Sequence, residues 1–556
     1  MLHRHGLSGN AWFGATVSRR AALGTLIAVG ALIRLSQFLQ RPSLSVDEAM
    51  LALSIGSRSY GGLLRALDYD QTAPLLFLWG TRFTTQVGGM NELTLRALPL
   101  AAGLTLPLVV WLVARRLMDV PAALVCTALA ACSPFLVRFS VIAKPYESDA
   151  LVATAVVACA LGTAATPQSP ATWQRLLVAG VGSLAMAIPA VFALAGVSVA
   201  VLLAPSVRAT PGARGRLALV IAVWGVVFVG VYLVLYRHAA TSAFMQQFWA
   251  ATFFGLDVQD LPARLWRAAQ QEIFPLVVGN RVPVLGTVAL SALAGAGVHS
   301  FGRRGRRWQL ALVATPIVSC FAASVLHRYP IAGRALLFTA PLLIVMLVVG
   351  ARSIADLLPR PFDAWVFWPA SAGWVATVAV IAVTQPEFPP DVRGLIAEVE
   401  RTPDAQAPIP VYVFAGAIPT WTFYATDWAA PDTERLRRIA RAAEPSVSRF
   451  RNDGQDLEVA TRGRRELMGR ATGIQIRYWT GPSAAQPDSG WADHEAVRIA
   501  AEPRQDVWLL FEAYFRDRVV TDLLDALERA GGHRVEAHEP WQAKLYRYRF
   551  DRRPPR

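Results

Sequence analysis

Apolar residues fall in long, nearly unbroken runs through the first 385 positions, and in short runs bounded by turn residues after that. A helix that crosses a bilayer needs about 20 apolar residues. On that measure the runs predict spans near 21–38, 95–113, 121–137, 151–164, 176–189, 191–204, 217–235, 282–299, 310–326, 335–349 and 365–383. These make about 11 transmembrane helices, several of them short. The stretch 176–204 is read as a hairpin of two helices; a single long helix there would change the parity. Residues 73–87 are apolar but few, and Arg82 interrupts them, so they predict a juxtamembrane helix lying in the interface.

Beyond residue 385 the period changes. Short strand-like runs at 410–415, 506–511, 533–537 and 543–550 alternate with helical patterns at 420–428 and 518–530, the last ended by Gly531 and Gly532. The predicted architecture is a polytopic α-helical membrane protein with juxtamembrane helices and a C-terminal α/β extracytoplasmic domain. Its parts are a cytoplasmic N-terminus (1–20), a transmembrane domain (21–385) whose first outer loop is 39–94, and a soluble domain (386–556).

Composition agrees with the pattern. Of 556 residues, 54% are hydrophobic and only 17% charged, against about 25% charged in soluble domains. Disorder and a disulfide-rich secreted scaffold are excluded. Cys126, Cys132, Cys159 and Cys320 all lie in apolar stretches, so neither disulfides nor a zinc site are expected.

The formal net charge of +15 resolves into a topology signal. The segments placed in the cytoplasm hold 15 basic and 3 acidic residues, and the outer segments of the membrane part 14 and 10. The soluble domain holds 25 and 26. Positive-inside counting therefore puts the N-terminus in the cytoplasm, reads the first span as an uncleaved signal anchor and places the C-terminal domain outside. Without a basic excess, the soluble domain does not suggest a nucleic-acid partner.

The candidate chemistry sits in the outer loops. Asp47-Glu48 follows the first span closely. A carboxylate there can act as a general base on an acceptor hydroxyl or amine, or the pair can cap the helix that begins beside it. Asp68-Tyr69-Asp70 is an acid pair that could hold a divalent cation or cap a turn. Lys144-Pro145-Tyr146-Glu147-Ser148-Asp149 offers one of only two lysines in the chain, a compact cation suited to a phosphate oxygen or to an ion-pair network. His327-Arg328-Tyr329-Pro330 leads to Gly333-Arg334, where an arginine at the head of a span can donate to a phosphate or snorkel to the interface.

In order, these pieces are an anchor, Asp47-Glu48, Gln71-Thr72-Ala73-Pro74-Leu75 before a short apolar helix, and Glu92-Leu93-Thr94-Leu95-Arg96-Ala97-Leu98-Pro99 entering the next span. The set resembles the GT-C glycosyltransferases, in the branch of the protein O-mannosyltransferases and lipid A aminoarabinose transferases. The Lys144–Asp149 segment, Tyr329-Pro330 and Gly333-Arg334 look like a bacterial subgroup similar to dolichyl-phosphate-mannose–protein mannosyltransferases. The likeness covers residues 20–385.

The resemblance implies a polyprenyl-phosphate-linked sugar as donor. It is passed, with inversion, to a glycan, lipid or protein acceptor on the outer face of the bacterial cytoplasmic membrane. It implies Asp47 as base, with Glu48 beside it. Lys144, Arg334, Arg328, Tyr146 and Tyr329 would serve the donor phosphate, and Gln71, Asp149 and His327 the substrate. The family's lysine ahead of the juxtamembrane helix is Thr72 here, so Lys144 or Arg334 would take over its contacts. No cofactor is required, and Asp68 and Asp70 are the candidates should a metal be used. A transporter or flippase of lipid-linked sugars would instead show ionisable groups at the membrane midplane and an internal repeat, and neither is visible. A non-catalytic envelope assembly protein would tolerate changes at Asp47 and Glu48.

Overall fold

The computed structural model describes residues 9–255, 260–279, 282–303, 306–401, 409–442, 475–479, 491–501, 505–512, 517–540 and 542–551. The first nine helices are α1 (Gly9–Leu39), α2 (Val46–Ser57), α3 (Leu75–Gly88), α4 (Glu92–Leu117), α5 (Val120–Cys132), α6 (Pro134–Phe139), α7 (Tyr146–Ala165), α8 (Pro170–Met186) and α9 (Ala190–Leu203). Among the described residues, eight helices are long and apolar enough to cross a membrane: Arg19–Leu39, Glu92–Leu117, Tyr146–Ala165, Ala213–Thr241, Val284–Arg303, Arg307–Val325, Gly333–Ala355 and Phe362–Thr384. α5 and α9 are shorter apolar helices.

The expected run 121–137 is broken in two. Pro134 has no N–H to continue α5 and instead opens α6. The run 176–204 is two helices, α8 and α9, interrupted around Ala187–Pro189. The sequence expected at 73–87 forms α3, which ends at Gly89 with φ +79°. Large apolar side chains such as Leu219, Val226, Leu285 and Trp365 point out of the bundle, as lipid-facing positions do.

Small residues let the membrane helices approach closely. Helix Val284–Arg303 packs on helix Ala340–Ala355, and an ideal Cβ on Gly350 would lie 1.9 Å from the Leu293 carbonyl oxygen. The same seam puts Gly297 2.4 Å from the Met346 oxygen by that measure. The four cysteines are free thiols, three of them buried.

The C-terminal part is a five-stranded sheet ordered β2-β1-β3-β5-β4. Its strands are β1 (Pro410–Phe414), β2 (Gln475–Trp479), β3 (Asp506–Glu512), β4 (Gly532–His538) and β5 (Ala543–Phe550). β1 runs parallel to β2 and β3, while β5 is antiparallel to both β3 and β4. Helices Trp491–Ala500 and Asp517–Arg529 cover one face. On the other, Val411, Val413, Trp508, Leu510 and Leu545 share a core with Ile396, Ile418 and Trp421, and with Leu44, Ala49, Ala52 and Leu53 in and before α2. The sheet is thereby built onto the loop that carries Asp47. Polar clamps close the seam: Tyr424 Oη receives the Leu44 N–H at 2.8 Å and donates to Glu92 at 3.1 Å, and Arg393 donates to Glu92 at 2.6 Å.

Gly350→Ala is expected to lower the melting temperature of the detergent-purified protein, on an overpacking cost of about 1–3 kcal/mol. Gly182→Ala, where nothing lies within 4 Å of the added carbon, should leave it unchanged.

Candidate active site

The site is assembled around the start of α2. Ser45 is its N-cap and forms a capping box with Glu48. The box turns the two neighbouring acids in different directions. The Glu48 side chain is fully buried, while that of Asp47 keeps 25% of its surface exposed.

Glu48 accepts from five donors. Arg96, from α4, gives Nε to Oε1 at 2.8 Å and Nη2 to Oε2 at 3.0 Å. The Ser45 N–H and hydroxyl reach Oε2 at 2.9 and 3.0 Å. The Ala143 N–H reaches Oε1 at 2.7 Å. Burial pushes the Glu48 carboxyl up, but the Arg96 charge and these hydrogen bonds outweigh it and hold it below the usual carboxylate range. Arg96 spends its remaining donors on the carbonyls of Pro42 and Ser43. Glu48 thus ties α2, α4 and the segment before α7 together and has no face left for a substrate. Its expected role beside the base is replaced by that of a support.

The Ala143 contact sets the next residue, Lys144. Its side chain is buried, and Nζ donates to Gln71 Oε1 at 2.6 Å. Burial lowers its pKa, and so does the Arg334 charge, against the opposing pull of Asp47 and Glu48. Arg334 donates from Nη1 to Asp47 Oδ2 at 2.8 Å. Its guanidinium lies 5.1 Å from the Trp249 ring centre and 6.0 Å from that of Phe248. The short helix bearing Arg334 is held by Glu272, whose Oε2 receives the Gly333 N–H at 2.6 Å.

Tyr146, Asp149 and Tyr329 lie next to this charged group. Tyr146 packs edge-on against Phe139, its ring centre 5.2 Å away. Tyr329 donates to the Ala335 carbonyl at 2.7 Å and packs on Phe192. Burial pushes the Tyr329 phenol well up, and the Asp149 charge adds to the shift. The first turn of α7 is anchored from behind. Arg34 of α1 donates to the Ala131 and Ala130 carbonyls, and its Nη2 lies 3.8 Å from Glu147.

Other expected residues stand apart. His327, in the left-handed region at φ +53°, and Arg328 are both exposed, and the His327 ring lies against Phe253. Asp68 is bound to Arg58 at 2.6 Å and Ser54, so it is engaged as an ion-pair partner. Tyr69 and Asp70 turn the chain through two consecutive left-handed conformations ahead of Gln71. Among the described residues no group of three or more His, Cys, Asp or Glu side chains gathers as a metal site would.

Arg96, Glu272, Trp249 and Arg34 were not anticipated. Arg96 had a visible signal, an arginine inside the Glu92–Pro99 entry to a span. Glu272 and Trp249 come from a segment without periodicity, and only the fold brings them in.

Residues 72–235 match the family described as dolichyl-phosphate-mannose-protein mannosyltransferase. The chain is also similar in structure to ArnT from Cupriavidus metallidurans in the apo state. The TM-score is 0.51 at 14% identity, over 97% of this chain and 98% of that one. The fold is that of this ArnT structure. ArnT from the same organism bound to undecaprenyl phosphate gives a TM-score of 0.50 at 14% identity, over 94% and 97% of the two chains. The apo oligosaccharyltransferase of Archaeoglobus fulgidus gives 0.49 at 12% identity, over 95% and 88%. No curated protein sequence matches significantly. The matched segment carries Gln71's neighbour Thr72, Lys144, Tyr146 and Asp149, while Asp47 and Arg334 lie on either side of it.

Arg96→Met would leave Glu48 buried without its counter-charge, a loss of about 3–5 kcal/mol. The variant should melt well below the parent in detergent, and adding Glu48→Gln should recover part of the difference.

Proposed function

We propose that this chain is a glycosyltransferase that moves a sugar from a polyprenyl-phosphate donor to an acceptor at the outer face of the cytoplasmic membrane, with inversion. The carrying observation is that Asp47, Arg334, Lys144 and Gln71, from four separate stretches, meet in one charged group. The family match over 72–235, and the undecaprenyl phosphate held by an ArnT of the same fold, support a lipid-phosphate donor.

Asp47 is the one acid of the pair with exposed surface, and it takes the acceptor proton as the acceptor oxygen or nitrogen attacks the anomeric carbon. The bond from that carbon to the phosphate oxygen breaks, and the polyprenyl phosphate leaves with the electron pair. Lys144 and Arg334 neutralise the charge that grows on it, with fixed donors that need not reorganise. These two cations supply what a divalent metal would otherwise provide, so the reaction needs no cofactor. The family lysine replaced by Thr72 has a counterpart here: Lys144 brings its ammonium to Gln71, the residue beside Thr72. In the resting arrangement Arg334 is paired with Asp47, and a donor phosphate that draws on the guanidinium frees the carboxylate to act as base. The N-terminus is assigned to the cytoplasm, and residues 386–556 form the outer domain.

Asp47→Asn is expected to fold, enter the membrane and lose sugar transfer by a factor of at least about 100, the scale of general-base catalysis. Transfer from a radiolabelled lipid-linked sugar is the measurement, and full activity would remove Asp47 from the role. Lys144→Ala should raise the apparent Km for the donor. An unchanged value would return Lys144 to a purely structural ion-pair network.

A further inference from the structure

α2 carries Asp47 in its first turn, and residues from the far end of the chain grip it at both ends. At its entry the Leu44 N–H donates to Tyr424 Oη at 2.8 Å, one residue before the Ser45 cap. Leu44 is fully buried, and a buried N–H needs an acceptor, so the phenol fixes the path of the chain there. The same hydroxyl donates to Glu92 at the start of α4, at 3.1 Å.

At the exit, Trp428 lies on the helix. An ideal Cβ on Gly56 would sit 2.9 Å from Trp428 Cη2, so a side chain at that position could not fit without a shift. Arg437 donates from Nη2 to the Ser57 carbonyl at 3.4 Å, one of the carbonyls that a helix end leaves without an intrahelical partner. Tyr424 and Trp428 share one frame, the helix Ile418–Ala425 and the residues just after it. Trp428 Nε1 donates to the Phe423 carbonyl at 3.0 Å, and the two rings lie 5.4 Å apart. Between the two grips, Ala49, Ala52 and Leu53 of α2 share a core with Ile418 and Trp421 of that helix.

This grip holds a direction. Arg334 meets Asp47 at 2.8 Å in a partly exposed pair, and such a pair has little net hold of its own. It cannot draw α2 into place, so α2 has to be brought to it. Glu48 and Arg96 pin the first turn from the side of α4, and the grip pins the entry and the far end, which that ion pair does not reach. We propose that Tyr424 and Trp428 are positioning residues for Asp47, setting the angle of α2 that keeps its carboxylate on Arg334. The role given to Asp47 rests on the glycosyltransferase reading above. When the grip is lost, α2 shifts, Asp47 leaves the guanidinium, and an incoming lipid phosphate meets Arg334 without that competitor.

The test uses the full-length protein in nanodiscs and two measurements. Hydrogen exchange over residues 44–57 follows α2 with no ligand present. Tyr424→Phe, which removes only a hydroxyl, and Trp428→Leu should each speed exchange there about tenfold, the scale of one lost buried hydrogen bond. Residues 146–150 of α7 should keep the parental rate. Gly56→Ala, which parts the helix from the ring and leaves both gripping residues in place, should act in the same direction. Binding of undecaprenyl phosphate then reads whether the grip acts through Asp47. Asp47→Asn should tighten it about threefold, the scale of a partly exposed ion pair. Each grip variant should tighten it to a similar degree, and should add nothing in the Asp47→Asn background. A purely structural role would change binding alike in both backgrounds, and that result overturns the assignment. So does parental affinity in Asp47→Asn or in the grip variants, and so does parental exchange over 44–57 in all three. If the parent binds no undecaprenyl phosphate, the glycosyltransferase reading fails, and hydrogen exchange alone decides the grip.

Discussion

The candidate site of this protein is organised around one buried ion pair, Glu48 with Arg96. Taking two charges out of water costs several kcal/mol each, and attraction offsets this only when geometry is good and the leftover donors and acceptors are satisfied. Both conditions hold. The pair is bidentate, Glu48 takes three further donors from Ser45 and Ala143, and Arg96 spends its spare N–H groups on Pro42 and Ser43. A well-packed apolar pair could give comparable stability, but it could not fix direction in the same way. Each of these bonds pins a different piece of backbone, and the pieces are those that carry Asp47 on one side and Lys144 on the other.

The charged groups of the candidate site come from distant stretches of the chain. Asp47 comes from the start of α2, Lys144 from the segment between α6 and α7, and Arg334 from the head of the helix Gly333–Ala355. Behind them, Arg34 and Glu147 steady α7. In front, the C-terminal sheet packs Trp421 and Ile418 against Leu44 and Ala52. The sheet therefore supports the segment that carries Asp47.

The membrane helices were legible because burial in lipid demands long apolar runs, and the sheet strands because alternation and turn residues bound them. β2 and the helices Val392–Arg401, Thr433–Ala442 and Trp491–Ala500 were not, since short amphipathic pieces with many arginines carry little periodic signal. At the site, Asp47, Lys144, Gln71 and Arg334 stood out as polar residues at the ends of apolar runs. Glu48 stood out equally, and adjacency in sequence could not show that a capping box sends it inward while Asp47 stays exposed. His327 and Arg328 shared a motif with Tyr329 and Arg334, yet a left-handed turn at His327 leaves them outside. Arg96 was visible as an arginine entering a span, but its buried partner was not, and the widening of the helix into a π segment at Tyr232–Tyr236 is a change in helix type that no hydropathy pattern records.

That change of helix type has an evolutionary consequence. A π-bulge is a one-residue insertion absorbed by a helix, and removing one residue from it would rotate the rest of the helix by about 100°. Tyr236 would swing from the interior toward lipid while every amino acid kept its identity. The length of a membrane helix, measured in single residues, thereby becomes a heritable setting for which groups line the interior. Among chains of this fold, a one-position gap in an alignment would carry as much chemical meaning as a substitution.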